Sequence, residues 1–454
     1  MKNLFTILFT ISCFLTYAAD LYVFPGGASP NYSSIHTAVN AASDGDRVLV
    51  AAGTYIENVS MPSTSLMLIP MADGGNYTIS GYFHISAAGG DKKATIVGAI
   101  IQGNFQEENN TSSGAGSQIN EFNFINCVFM QVFVPEIAVM TNIYYSTFYE
   151  TCDGMFKEII GNSFLNQTTY SKNIECQVIK STWSGAANTL YGDDKVLKVY
   201  GNHFVNMSFR IKGNNENEWI EDVHVANNFF EHTDNPPYSG NGYGYNLLRF
   251  ESFGNYQIPE FLVENNTFSK NTGSNTNGWA YYQEGGYTTN IIRNNVFYNN
   301  QSWSYSYTVF QLNSSQGIAT VMNNLFNNSS WPTTVTTNNI TNGNNPYFQG
   351  SLSGGSVSSA DNFFQQSFSS GDIDLNSGIV TNSNATNNGL DIMECRDIDD
   401  TQNDLGTWGG PHSWDNYHST ATGKGRIIDI QMPSTIYGLP GVTFEVKSKA
   451  VRTN

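Results

Sequence analysis

Two short stretches carry the residue types that suit work on an acidic sugar: Phe209-Arg210-Ile211-Lys212 and Leu248-Arg249-Phe250-Glu251. In an extended strand side chains alternate between faces, so Phe209, Ile211, Leu248 and Phe250 turn inward while Arg210, Lys212, Arg249 and Glu251 turn outward. Downstream, Trp279-Ala280-Tyr281-Tyr282 adds aromatic and phenolic groups, and the intervening chain contributes Tyr243 and Tyr245. Cleaving a uronate polymer by β-elimination needs a neutralised carboxylate and a base for the adjacent proton. Arg249 or Arg210 would hold the carboxylate, Lys212 would serve as base if neighbouring cations lower its pKa, and Tyr281 would protonate the leaving oxygen. Without turnover, the same face binds glycan through its cations, with Tyr243, Tyr245, Trp279 and Tyr282 as flat contact surfaces. The competing structural reading is an exposed ladder of charges worth little.

Other chemistries fare less well. A glycoside hydrolase needs paired carboxylates, but Asp193-Asp194, His203 and Arg210 lie too close in sequence to occupy successive coils of a stacked fold and read as turn and strand residues. The acidic run Asp397, Asp399, Asp400, Asn403 and Asp404 offers hard oxygen ligands suited to Ca2+, with Asp397, Asp399 and Asp404 as the candidate set. A turn held by Asx hydrogen bonds accounts for it equally well. Beyond the first residues, the cysteines are Cys127, Cys152, Cys176 and Cys395; none has metal-ligand spacing, and buried thiols or a single bridge both remain open.

The elements that must position these residues announce themselves as a repeat. Ala226-Asn227-Asn228-Phe229-Phe230, Glu264-Asn265-Asn266-Thr267-Phe268, Arg293-Asn294-Asn295-Val296-Phe297 and Met322-Asn323-Asn324-Leu325-Phe326 share one pattern, with looser copies at Gly161-Asn162-Ser163-Phe164 and Gly201-Asn202-His203-Phe204. Each reads as an apolar strand, a sharp bend at asparagine, then a strand whose aromatic points inward. Asparagine tolerates the left-handed backbone of such a bend, and its amide can donate to one copy while accepting from the next. Phe129, Phe148, Phe164, Trp183, Phe204, Phe230, Phe268, Phe297 and Phe326 mark successive coils of a solenoid. The widest gap, from Phe230 to Phe268, holds a turn-rich loop with Tyr238, Tyr243 and Tyr245.

Charged residues make up only 13% of the chain and the formal net charge is -18, which argues against a nucleic-acid partner and requires a local basic patch for any polyanion. Lys2 followed by the apolar run Leu4–Leu15 and small residues near Ala18 and Ala19 reads as a secretory signal peptide over residues 1–19. No apolar run is long enough for a membrane span. At the start of the mature chain, Ser33 and Ser34 precede a short helix with Ile35, Ala38, Val39 and Ala42 on one face, placed to cap the open end of a solenoid. After Gly406 and Gly409-Gly410, alternating strands at Arg426–Ile430 and Val442–Val446 suggest a small β appendage.

The opening, Ser34-Ile35-His36-Thr37-Ala38-Val39 through Gly45-Asp46-Arg47-Val48 to Gly53-Thr54-Tyr55-Ile56-Glu57, together with the Asn-Asn-x-Phe repeats, resembles secreted right-handed parallel β-helix proteins of the pectin-lyase-like superfamily. The resemblance implies an all-β, right-handed parallel β-helix over residues 20–410, an N-terminal capping helix and a C-terminal appendage over 411–454. It implies an extracellular or cell-surface location and a polysaccharide or protein partner. It leaves activity undetermined, because one fold serves lyases, hydrolases, esterases and adhesins. The expected function is binding of extracellular polysaccharide without a catalytic motif; the alternative is a uronate lyase acting through Lys212 and Arg249.

Overall fold

The computed structural model describes residues 18–28, 30–62, 64–71, 75–85, 92–107, 120–134, 139–150, 152–165, 175–179, 196–213, 222–232, 247–252, 260–270, 281–284, 289–299, 310–313, 318–327, 348–349, 356–360, 363–365, 380–381, 385–397, 400–418, 425–431 and 447–452. The described chain is a parallel β-helix: short strands stack, coil upon coil, into three long faces. Face A contains Asp222–Ala226, Glu260–Glu264 and Thr289–Arg293; face B contains Phe229–His232, Thr267–Lys270 and Val296–Asn299; face C contains Ser208–Gly213, Leu248–Ser252 and Tyr281–Glu284. Face B is a 12-stranded parallel sheet, and faces A and C join into one of 23 strands because Cys152–Ile160 runs through both.

Alternation along these strands decides what is inside. In Asp222–Ala226, Val223 and Val225 are buried in the core while Asp222 and His224 turn out. Phe209, Ile211, Leu248 and Phe250 are buried on face C. The aromatics of face B form one stack: Phe148, Phe164, Phe204, Phe230, Phe268 and Phe297 follow one another at 4.8–4.9 Å with ring planes within 12°. That interval is the spacing of parallel strands, so each ring packs on the same position one coil away. Phe164 stacks directly on Phe204. The coil expected at Trp183 therefore does not enter this face; the chain between Leu165 and His203 makes one longer turn of the solenoid, and Trp183 itself lies outside the described residues.

The two asparagines of each bend divide the work. The first is left-handed: Asn227, Asn265, Asn294 and Asn323 have φ between 51° and 56°, and Gly161 and Gly201 fill the same place in looser copies. The second points inward and is fully shielded. The Oδ1 of Asn266 accepts from the backbone N–H of Asn228 at 2.9 Å and from its Nδ2 at 2.9 Å, while Asn266 itself donates to Asn295. The chain of such bonds runs Asn162, Asn202, Asn228, Asn266, Asn295, Asn324. It continues upstream through Ser146, whose hydroxyl accepts from the Cys127 N–H.

The expected helix forms at Ile35–Ala41, with Ser34 as N-cap, and buries Ile35, Ala38 and Val39. The Glu57 carboxylate accepts from the N–H groups of Ile35 and His36 and from the Ser34 hydroxyl, tying the helix start to the first coil. At the other end of the chain, Gly425–Gln431 and Lys447–Arg452 pair antiparallel. The strand expected at Val442–Val446 lies outside the described residues, as do residues 1–17 of the signal peptide expected over 1–19.

Between these ends lies a feature that the repeat did not foretell. Residues 385–417 form a strap that runs back along the outside of the asparagine bends. Leu390 donates to Asn294 Oδ1, Gly406 to the Asn294 carbonyl, and Thr407 to the Thr267 hydroxyl. Asn265 Nδ2 donates to Asn403 Oδ1 and to the Asp404 carbonyl at 2.7 and 2.8 Å, and Asn227 Nδ2 reaches the carbonyls of Thr407 and Gly409. Leu405 and Ala385 pack on Val296, Tyr298 and Leu325, and Tyr417 packs on Tyr144, Ile160, Tyr200 and Ala226. The outward asparagines Asn227, Asn265 and Asn294 are thus the strap's docking rail.

Candidate functional site

Face C brings the arginines together. In its register Arg210 lies beside Arg249 and Lys212 beside Glu251. Gln177 precedes Arg210 in the same column, and Tyr282, Gln311 and Gln349 follow Arg249. Adjacent parallel strands lie about 4.8 Å apart and residues rise about 3.3 Å along a strand, so Arg210 and Arg249 are lateral neighbours whereas Lys212 and Arg249 are diagonal, roughly 8 Å apart at Cα. Both arginines are half-buried, which removes part of the water that would screen their charge. Tyr281 holds the register position of Leu248 and Phe310, in the column of buried Phe209, whereas Tyr282 holds that of the arginines. Tyr243, Tyr245 and Trp279 lie outside the described residues.

Of the acidic run, Asp399 also lies outside the described residues. Asp397 accepts from the backbone N–H groups of Asp404 and Gly410 at 3.1 and 2.5 Å, and Asp404 Oδ1 accepts from the Asn387 N–H at 2.6 Å. These carboxylates organise the strap's turns, and among the described residues no group of three or more His, Cys, Asp or Glu is placed to hold a metal ion.

A second polar constellation, on face A, escaped the sequence reading. Glu264 is buried with one oxygen accepting from His224 Nε2 at 2.8 Å and the other from Arg293 Nε at 2.7 Å. His224 Nδ1 lies 2.7 Å from the Tyr200 hydroxyl. The strap places the His412 ring flat on Tyr200 at 4.3 Å between centroids. Burial alone would push the Glu264 carboxyl up, but the hydrogen bond and charge of His224 and the Arg293 guanidinium outweigh it and hold its pKa at about 2. Nearby, His203 pairs with Glu231 at 3.0 Å and stacks on Phe229. The signal in the sequence was slight: Glu264 and Arg293 stand immediately before an asparagine bend where other coils carry Ala226 and Met322. Three residues from three coils cannot be seen as neighbours until the register is known.

The chain matches no family model and no curated protein sequence.

Proposed function

We propose that the protein is exported and binds an acidic polysaccharide along face C. The observation that carries this reading is the placement of Arg210 and Arg249 at the same register position of adjacent coils, half-buried, in a chain of net charge -18. A guanidinium matches a carboxylate with two parallel hydrogen bonds, so two neighbouring arginines suit a ligand whose carboxylates recur along a chain. Tyr282 and the glutamines that continue the column supply positions for hydroxyl recognition. In the lyase alternative Lys212, at the register position beside Glu251, would be the base.

Binding to polygalacturonate, alginate and a neutral glucan, measured by calorimetry at low and moderate salt, tests the reading. The acidic polymers should bind, more weakly as salt rises, and the neutral one should not. An Arg210→Ala, Arg249→Ala double variant should lose about 10-fold or more in affinity, the scale of one or two charge-assisted hydrogen bonds. Equal affinity in that variant, or equal binding of the neutral glucan, would remove face C as the site. Accumulation of unsaturated sugar ends during incubation would instead make the protein a lyase.

A further inference from the structure

The strap ends on a group whose charge the surroundings cannot answer. His412 lies on Tyr200, 5.6 Å from the ring of His224, with its Nδ1 3.4 Å from the Tyr417 hydroxyl. The groups facing it come from four elements: Lys198 and Tyr200 on the strand Val196–Tyr200, His224 on Asp222–Ala226, Glu264 on Glu260–Glu264, and Tyr417 on the strap's own helix Asp415–His418. Among the described groups that act on its charge, Glu264 alone is anionic, and its two oxygens already accept from His224 and Arg293. A proton on His412 would add a cation beside Lys198, where that carboxylate is already committed.

We infer that this end of the strap is a proton-operated latch: residues 407–417 stay docked while the His412 imidazole is neutral and lift when it is protonated, uncovering Tyr200, His224 and Glu264 while the solenoid stays wound. The hinge side is fixed independently of His412, because Leu390 and Gly406 bond to Asn294, three coils further along the stack, and Asn403 to Asn265, two coils along. Burial, then the charge of His224, lowers the His412 pKa from 6.5 to about 4, with Glu264 opposing and Lys198 adding a little. A depressed folded pKa means that docking is fully favoured above 6.5 and weakens as pH falls from there towards 4. The Glu264 network, with its pKa near 2, stays ionised across that window. Acid therefore loosens the strap before it discharges Glu264 beneath it.

Hydrogen exchange of the full chain, corrected for the intrinsic pH dependence of exchange, reads the latch directly. The reporting amides are Thr407, Trp414 and Tyr417, bonded to the Thr267 hydroxyl and to the carbonyls of Thr407 and Trp414. Between pH 7.5 and pH 5 their protection should fall by about 30-fold, the shift from 6.5 to about 4 expressed as an opening constant. The ladder amides of Asn228 and Asn266 should hold their protection. His412→Phe, which keeps the stack on Tyr200 and cannot take a proton, should flatten the pH response. A wild-type change of less than about threefold would overturn the latch, whether or not the Phe variant docks. So would an equal loss in His412→Phe, or strap and ladder amides opening together.

Discussion

Glu264→Gln is the substitution that most directly weighs the polar cluster beneath the strap. The carboxylate is 4% exposed and bonded at 2.8 Å to His224 and at 2.7 Å to Arg293. Its pKa is lowered from 4.5 to about 2, and each pKa unit corresponds to about 1.4 kcal/mol, so the ionised form adds roughly 3 kcal/mol at neutral pH. Glutamine keeps the shape but offers one acceptor and one donor, leaving Arg293 or His224 facing an amide N–H. The folded pKa is depressed, so the wild-type advantage is present above about pH 4.5 and is lost as pH falls towards 2; roughly half should remain at pH 3. Urea denaturation of both proteins at pH 7 and pH 3 measures it. A difference of roughly 3 kcal/mol at pH 7 shrinking by half at pH 3 is expected. A difference below about 1 kcal/mol at pH 7 would place these pairs with ordinary surface salt bridges, and an equal difference at both pH values would mean that the effect is packing and not charge.

The asparagine bends make further predictions. Asn265→Gly keeps the left-handed bend but removes the donors to Asn403 and Asp404, so it should lower exchange protection in the strap and leave urea stability of the coils nearly unchanged. Asn265→Ala should lose the same strap bonds and cost a further 1 kcal/mol or so, because a Cβ-bearing residue without a polar side chain is strained at φ 52°. Gly201→Ala should undock the Tyr417 end, since a Cβ there would lie 2.1 Å from the Tyr417 ring at φ 61°; loss of protection at the Tyr417 amide checks it.

The solenoid could be read before any coordinate because its stabilising units are local in sequence. A strand, an Asn-Asn step and an aromatic recur within a dozen residues, and each copy announces both its inward face and its bend. The positions of Arg210 and Arg249 followed from counting back from Phe230 and Phe268, since alternation and the bend leave little freedom in between. Trp183 failed as a coil marker because Phe164 pairs directly with Phe204, which leaves no strand of face B between them. Contacts with long separation in sequence were hidden. Asn265 meets Asn403 across 138 residues, and the strap segment has no periodicity of its own, so its acidic run read equally as a cation loop or an Asx turn, and the bonds from Asp404 and Gly410 N–H to Asp397 could not be foreseen. Glu264 was hidden for the related reason that its partners sit on neighbouring coils, 40 and 29 residues away.

The corners of the coil also say where a ligand can be accommodated. Between faces A and B the repeat coils turn in the same two residues each time, 227–228, 265–266, 294–295 and 323–324, because a longer or shorter step would break the ladder of buried amides. In these four coils the corner keeps one length, and the strap docks on it at Asn227, Asn265 and Asn294. Between faces B and C the connections differ widely, from 206–207 to 328–347. Length can vary there because neither the ladder nor the aromatic stack passes through it. A rigid ladder on one edge and adaptable connections on the other leave face C as the surface whose side chains and flanking loops can change without unwinding the fold. Arg210 and Arg249 stand on that surface, set in register by the corner opposite.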